Sequence, residues 1–279
     1  MKKFTLILSL LLLAVTVFSQ KRYSARRGGP ATILSVGTGT STYYGELANP
    51  GVYDNANLNL NIGLQYAFAN RFAARVELNW FQLNGDDAQA PLESGRKTRN
   101  LSFQSNNIEL SAVGMVNLFS NGDRVYRRPS YNLYGFIGVG VLSFNPKGKD
   151  LATGQMVDLQ PLKTEGVDYS KLTLAIPYGI GGRVKISPQL NLAAEIGWRK
   201  LFTDYIDDVS TTYPDPTSFT SALALRMSDK RDQSVTYTQN VRGNPSDNDA
   251  YMLLNVKLEY YLNSSKSRRS IKYRRSSRR

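Results

Sequence analysis

The sequence predicts an all-β fold: an eight-stranded antiparallel transmembrane β-barrel, filled by its own side chains and carrying long extracellular loops. Three observations point there. Between Asn57 and Phe68, every even position (Leu58, Leu60, Ile62, Leu64, Tyr66, Phe68) is large and apolar, and every odd position (Asn57, Asn59, Asn61, Gly63, Gln65, Ala67) is polar or small. Side chains on a strand alternate faces, so the segment has one apolar wall and one polar wall, and about 9–11 such residues cross a bilayer when tilted. The rhythm recurs in seven further segments, and the connections between segments alternate in length.

The strands follow in chain order. Thr32 to Tyr44 is rich in Gly and Thr, with Leu34 and Val36 on one face, and Asn57–Phe68 is the second. Arg71 to Leu83 sets Phe72, Ala74, Val76, Leu78 and Trp80 against Arg75, Glu77 and Asn79. Asn107 to Leu118 separates Ile108, Leu110, Ala112, Val116 and Leu118 from Asn107, Glu109, Ser111 and Asn117. Tyr131 to Phe144 is apolar on both faces, which leaves its phase open. Leu172 to Ile186 alternates Leu174, Ile176, Tyr178, Ile180 and Val184 with Thr173, Pro177, Gly179, Arg183 and Lys185. Leu190 to Arg199 and Tyr251 to Leu262 complete the set, placing Glu195, Arg199, Lys257 and Glu259 on polar faces.

Ala69-Asn70, Phe119 to Ser130 and Ser187-Pro188-Gln189 join the strands at one end, all but the middle one as short turns. Gly45 to Ala56, Asn84 to Asn100, Asn145 to Lys171 and Phe202 to Ala250 are longer and richer in Gly, Pro, Asp and Asn. In outer-membrane barrels short turns face the periplasm and long loops the exterior, so both termini are expected in the periplasm of the cell outer membrane.

A soluble sandwich or lipocalin-like barrel also alternates, with its polar face outward. Two details favour the membrane. The polar faces carry a nearly balanced set, Arg75, Arg183, Lys185, Arg199 and Lys257 with Glu77, Glu109, Glu195 and Glu259, and Trp80, Trp198, Tyr66, Tyr178 and Tyr260 lie towards strand ends, where an aromatic girdle belongs. Eight strands leave room for side chains and not for an aqueous channel. Those charges are therefore expected to meet inside as an ion-pair network, because an unpaired buried charge costs several kcal/mol.

The ends read differently. Lys2 and Lys3 precede a largely apolar stretch reaching Phe18, and Val17 and Ser19 suit a signal peptidase, so residues 1–19 are expected to be a signal peptide cleaved before Gln20. Residues 20–30 form a basic periplasmic segment, 31–262 the barrel, and 263–279 a disordered basic periplasmic tail. Of 35 Lys and Arg residues, 14 lie in these ends, so the body holds 21 against 22 Asp and Glu. The net charge of +13 therefore belongs to the termini.

The chain has no Cys and no His. That excludes disulfides, thiolate or imidazole metal sites and His-dependent catalytic dyads. No cofactor is expected. The basic tail follows the last strand of an exported chain, which argues against nucleic acid and for anionic lipid headgroups, peptidoglycan or an acidic periplasmic partner. Arg124, Arg127 and Arg128 in the long turn, with Lys266, Arg268, Arg269, Arg274 and Arg275 in the tail, are the expected partner-binding residues.

Asp204, Asp207 and Asp208 form the densest acidic cluster. Three carboxylates in five positions would suit calcium, but no calcium-loop spacing is present, and a turn network of backbone hydrogen bonds is the favoured reading, with no metal assigned. Asp215 to Met227 predicts a short helix capped by Asp215, with Pro216 first and Phe219, Ala222, Leu223 and Leu225 apolar. Asp86-Asp87 is expected to be a solvated pair in a loop, so catalysis has little support.

Several segments together resemble the PorG-like outer-membrane barrel family of the type IX secretion system of Bacteroidota. They are Tyr44-Gly45-Glu46-Leu47, Leu83-Asn84-Gly85-Asp86-Asp87, Arg99-Asn100-Leu101-Ser102-Phe103, Phe144-Asn145-Pro146, Thr164-Glu165-Gly166, Ile176-Pro177-Tyr178-Gly179 and Gly197 to Ser210. In the last of these, Thr203, Asp204, Tyr205, Asp207 and Asp208 form the most specific block. Glu46 stands where Asp is expected, and the Arg-rich tail runs past the family's usual end. The resemblance implies a non-enzymatic part of the export machine, associated with a periplasmic lipoprotein ring. Competing classes are a small surface barrel, adhesin or stress-type, binding ligands through its loops, and a lipid-modifying enzyme using loop carboxylates.

Overall fold

The computed structural model describes residues 31–48, 56–121, 128–231 and 240–262. The expected signal peptide, the segment 20–30, the tail 263–279 with its basic residues, and Arg124 and Arg127 lie outside the described residues. Eight strands close into one antiparallel barrel: β1 (Ala31–Tyr44), β2 (Asn57–Ala67), β3 (Phe72–Asp86), β4 (Ser102–Asn117), β5 (Tyr131–Ser143), β8 (Leu172–Lys185), β9 (Leu190–Leu201) and β10 (Ala250–Tyr261). Pairing runs around the ring from β1 to β10, and β1 against β10 closes it, from Ile33 opposite Tyr261 to Tyr44 opposite Ala250. A two-strand hairpin, β6 (Pro146–Lys149) and β7 (Met156–Asp158), hangs on β4 at Gln104 and Ser105.

The apolar wall faces outward. Leu60 and Val256 are 47% and 51% exposed, whereas their neighbours Asn59 and Lys257 are 0% and 1%. A soluble barrel would reverse this. The glycine-rich first strand follows suit, β1 turning Ile33, Ser35, Ser41 and Tyr43 inward, and so does the strand whose phase was open, β5 turning Asn132, Tyr134, Phe136 and Leu142 inward. Tyr66 and Tyr260 mark the outer wall near the short turns, and Tyr178 stacks on Trp198 nearer the long loops, ring centroids 6.3 Å apart. Met252, opposite Trp198, and Tyr260 are eight residues apart on β10. That is roughly 20 Å along the axis at a tilt of about 40°, near the ~25 Å apolar band of such barrels.

The long strands outrun that band, and their polarity then inverts. β3 and β4, of 15 and 16 residues, exceed the ~9–11 that a crossing needs. Up to Trp80 and Ile108 the large apolar residues Phe72, Val76, Leu78, Leu110 and Val116 of this pair face out, although Ala73, Val113 and Met115 pack inside with Tyr134 and Phe136. Beyond it, Phe81, Leu83 and Phe103 face in, while Gln82 and Asn106 face out and share a 2.9 Å hydrogen bond. Water replaces lipid there, so the ordinary rule of apolar inside returns. On β5 and β8 the outer wall stays apolar up to Val141, Leu174 and Leu172, so the band reaches higher on that side.

This inversion corrects the strand ends expected from alternation: β3 continues past Leu83 to Asp86, and β4 begins at Ser102 rather than Asn107. The Asp215–Met227 helix is also corrected. A 3-10 turn, Pro216–Ser218, is capped by Asp215, whose carboxylate accepts from Thr217 N. The chain is extended at Phe219, and a separate helix, Ala222–Ser228, starts from a Ser221 cap. It buries Ala224 and Met227, while Leu225 stays exposed.

Candidate functional site at the loop end of the barrel

Two layers fill the barrel. In the membrane layer, Arg75 and Lys257 meet Glu77 and Glu195 in a closed ring of four charges. Lys257 Nζ lies 2.6 Å from each glutamate, Arg75 Nε lies 3.0 Å from Glu77, and Arg75 pairs directly with Glu195. Tyr134 donates to Glu195 at 2.6 Å. Arg199 reaches Glu109 at 3.4 Å, where Asn79 and Tyr251 also donate, and Arg183 pairs with Glu259 at 3.3 Å. Gly37 makes room for this layer: a Cβ there would stand 2.6 Å from Lys257 Cγ and 2.7 Å from Val256 O. Lys185 alone of the nine expected interior charges is not enclosed. It sits half-buried at the short-turn end of β8, too near the rim to be sealed.

The second layer is a dome made by the long loops. Its apolar core packs Ile206, Val209, Met227, Leu159 and Leu47 onto the inverted strand ends Phe81, Leu83, Phe103, Phe144 and Leu253. Buried charges tie the loops together. Asp87 is fully buried, held by Arg99 at 2.7 Å and 2.8 Å, by Arg96 at 3.0 Å and by Leu101 N at 3.1 Å. This corrects the solvated Asp86-Asp87 pair: only Asp86 is at the surface side, capping Ala88 N. Arg99 also donates to the Arg242 and Glu46 carbonyls, joining three loops. Arg242, buried, donates to Glu165 at 2.8 Å, and Glu165 accepts from Ser210 N, Thr211 N and the Thr211 hydroxyl.

The acidic block separates by role. Asp208, at a positive φ of 68°, accepts from Thr164 and from Tyr169 at 2.6 Å and faces Arg242 at 3.5 Å. Burial raises its carboxyl, and Arg242 opposes the shift. Asp207 accepts from Tyr43 at 2.8 Å and Val209 N at 2.9 Å. The same Tyr43 hydroxyl lies 2.5 Å from Asp249, whose other oxygen accepts from Ile206 N at 2.9 Å. A phenol has one proton to donate, so Tyr43 cannot satisfy both acids. Asp207 and Asp249 are both raised well above the usual carboxylate range, first by burial and then by neighbouring acids.

Asp204 is different. It is 6% exposed, and neither oxygen has a hydrogen bond of good geometry. Burial, then repulsion from Glu46, Glu165 and Asp247, pushes its carboxyl up to about 7 against the opposing Ser210 hydroxyl. Its nearest carboxylates come from distant loops, since Glu46, Asp204 and Asp249 each place an oxygen within 4.8 Å of the others. Thr203 accepts from Tyr205 N, and Tyr205 stacks on Tyr169 with centroids 4.7 Å apart. The acidic block is thus divided: Asp207 and Asp208 join hydrogen-bond networks, and Asp204 stands apart from both.

Arg128 does not face a partner. It is buried at the short-turn end, donating to Pro188 O at 2.6 Å, Ser187 O at 2.8 Å and Asn191, and stacking 4.5 Å over Tyr261. The density of basic residues in that turn suggested exposure, but the planar guanidinium instead closes the β8–β9 turn. Residues that sequence reasoning missed, Tyr43, Arg242 and Asp249, carry no local pattern. Glu46 and Glu165 were visible only as parts of the quoted family segments.

An apolar outer belt, a charge-filled interior and a packed cap of loop residues define a transmembrane β-barrel of the small, side-chain-filled class. The chain belongs to the family described as a domain of unknown function, DUF6089, which matches residues 10–265. No curated protein matches it. Among solved structures it is similar to Ail, the attachment invasion locus protein of Yersinia pestis, at 12% identity and a TM-score of 0.40, covering 84% of this chain and 98% of that one. It is also similar to Neisserial surface protein A, at 10% and 0.41, covering 83% and 98%. A major outer membrane protein from Thermus thermophilus gives 14% and 0.41, covering 83% and 99%. These overlaps are loose.

Proposed function

We propose that this chain is a non-enzymatic outer-membrane component of a type IX protein secretion machine, a scaffold that anchors or contacts a periplasmic ring. The filled interior carries the scaffold reading: Arg75, Glu77, Glu109, Arg183, Glu195, Arg199, Lys257 and Glu259 are buried and paired across the lumen, which leaves the surfaces as the working parts. The secretion role rests on the PorG-like resemblance. Most of its segments, scattered from Tyr44 to Ser210, converge on the dome, where Glu46, Asp87, Arg99, Glu165 and Asp208 share one hydrogen-bonded assembly through Arg242. Short turns and both termini face the periplasm in this reading, and long loops face outward. Arg124, Arg127 and the tail residues Lys266, Arg268, Arg269, Arg274 and Arg275 supply basic periplasmic contacts to ring lipoproteins, peptidoglycan or anionic lipid, and Arg128 is not among them.

The test is a secretion assay in a deletion strain, paired with pull-down of the tagged barrel. Loss of exported cargo and co-purification of periplasmic lipoproteins support the scaffold. Normal secretion with altered adhesion or permeability supports the second reading, a surface barrel acting through its loops, which the ordered dome favours.

A further inference from the structure

We infer that Glu46, Asp204 and Asp249 form a binding site for one calcium ion at the loop end of the barrel. Three loops that are far apart in sequence bring their carboxylates together, with one oxygen from each within 4.8 Å of the others. Asp204 is more than nine-tenths buried, and neither of its oxygens makes a hydrogen bond of good geometry, the Ser210 hydroxyl being the neighbouring polar group. Glu46 Oε2 likewise makes no such bond, while Glu46 Oε1 is fixed by Asn244 N at 3.2 Å. Asp249 is oriented by Tyr43 and Ile206 N, and carboxylate oxygens keep a second lone pair for a metal.

The charge balance calls for a cation. Glu46, Asp204, Asp207 and Asp249 form no salt bridge among the described residues. Arg99 acts on Glu46 and Asp207 from a distance, but its guanidinium is already held by Asp87. Buried carboxylates without a counter-ion either take up protons or coordinate a metal. A metal at this site would relieve the Tyr43 conflict as well, because an ionised Asp249 would then no longer depend on the single phenol proton.

Calcium fits better than magnesium. Calcium takes about six to eight oxygen ligands in irregular geometry at about 2.3–2.6 Å, whereas magnesium demands a near-ideal octahedron at about 2.1 Å and gives up its waters reluctantly. The site is also rich in carboxylates and open to water through half-buried Glu46, which suits a flexible coordination number. The metal site stands on its own geometry and does not depend on the secretion role.

The test uses the full chain, purified in detergent, stripped of metal and held at about pH 8, where ordinary carboxylates are ionised. Calcium is titrated by calorimetry, and terbium emission sensitised by neighbouring tyrosines is displaced by calcium. The expected result is one ion per chain with Kd on the order of 10⁻⁴–10⁻³ M, as for extracellular sites, weaker magnesium binding, and a higher unfolding temperature with calcium. Asp204→Asn and Glu46→Gln should each weaken binding at least about tenfold while the barrel stays folded by heat-modified gel mobility. Where Asp204→Asn fails to fold, the less buried Glu46→Gln carries the comparison, and the wild-type stoichiometry decides if both fail. No heat and no terbium displacement at about 10 mM calcium, well above the weakest expected Kd, overturns the site. So does unchanged affinity in a folded Asp204→Asn chain.

Discussion

Replacing Lys257 with methionine removes one cation from the four-charge ring while keeping a side chain of similar length. Its ammonium lies 2.6 Å from both Glu77 and Glu195. At an effective dielectric of about 20, each contact is worth roughly 6 kcal/mol of Coulomb attraction. Desolvation of the charges offsets most of that sum, yet removing one partner leaves a buried carboxylate uncompensated, for a net loss of about 3–5 kcal/mol. Arg75 cannot cover the deficit, because it already pairs with both glutamates. Adding Glu77→Gln to Lys257→Met restores neutrality, with Arg75 left to Glu195, and should recover about 2–3 kcal/mol of the loss as a coupling energy. Urea unfolding in lipid vesicles, followed by tryptophan fluorescence, measures all three variants. A loss under about 1 kcal/mol, the range of exposed pairs, or strict additivity of the two substitutions, refutes the ring as a structural core.

Ile62, paired with Val36 and Leu78 on the lipid face, should lose about 2–4 kcal/mol on substitution by arginine. The same change at Gln82, outward but above the band, should stay within about 0.5 kcal/mol, and equal costs in bilayer unfolding would contradict the polarity inversion. Gly45→Ala would push a Cβ into the Tyr43 hydroxyl and the Asp249 carboxylate. It should cost about 1–3 kcal/mol, read as faster proteolysis of the loops with barrel gel mobility preserved. In chelator, the dome should weaken as pH rises. Asp204 holds its proton up to about 7 when folded, while an unfolded aspartate releases it near 3.9, so the contribution is complete below about pH 4 and lost through about 7. Asp207 and Asp249 shift in the same direction. Loop melting followed by the near-ultraviolet signal of Tyr169 and Tyr205 should therefore fall with pH, and Asp204→Asn should flatten it.

The wall assignments were legible because a two-residue period leaves each strand one apolar face, and Asn57–Phe68 keeps that period without a fault. Direction was harder. Leu60 and Asn59 alternate equally in a soluble barrel, and only the balanced charges and the placement of Trp80, Trp198 and the tyrosines favoured lipid. Strand ends were misjudged where the solvent changes: Phe81 and Leu83 follow Trp80 out of phase, which looks like a loss of pattern and is a change of environment. The dome was illegible for another reason. Glu46, Asp204 and Asp249 are separated by most of the chain, and Arg242 reaches Glu165 across 77 positions, so no local spacing encodes them. Arg128 was misread because a run of basic residues looks the same in sequence whether it faces solvent or caps carbonyls.

The polarity inversion has a consequence for how the molecule enters its membrane. Leu83, Phe103 and Leu253 are covered only when segments from the other loops arrive, because Ile206, Val209 and Met227 complete their surroundings. That knob condenses only after every long loop has been carried through to the same leaflet. Once it has set, withdrawing any strand would drag bound arginines and carboxylates back through hydrocarbon. Insertion is thereby latched from the far side.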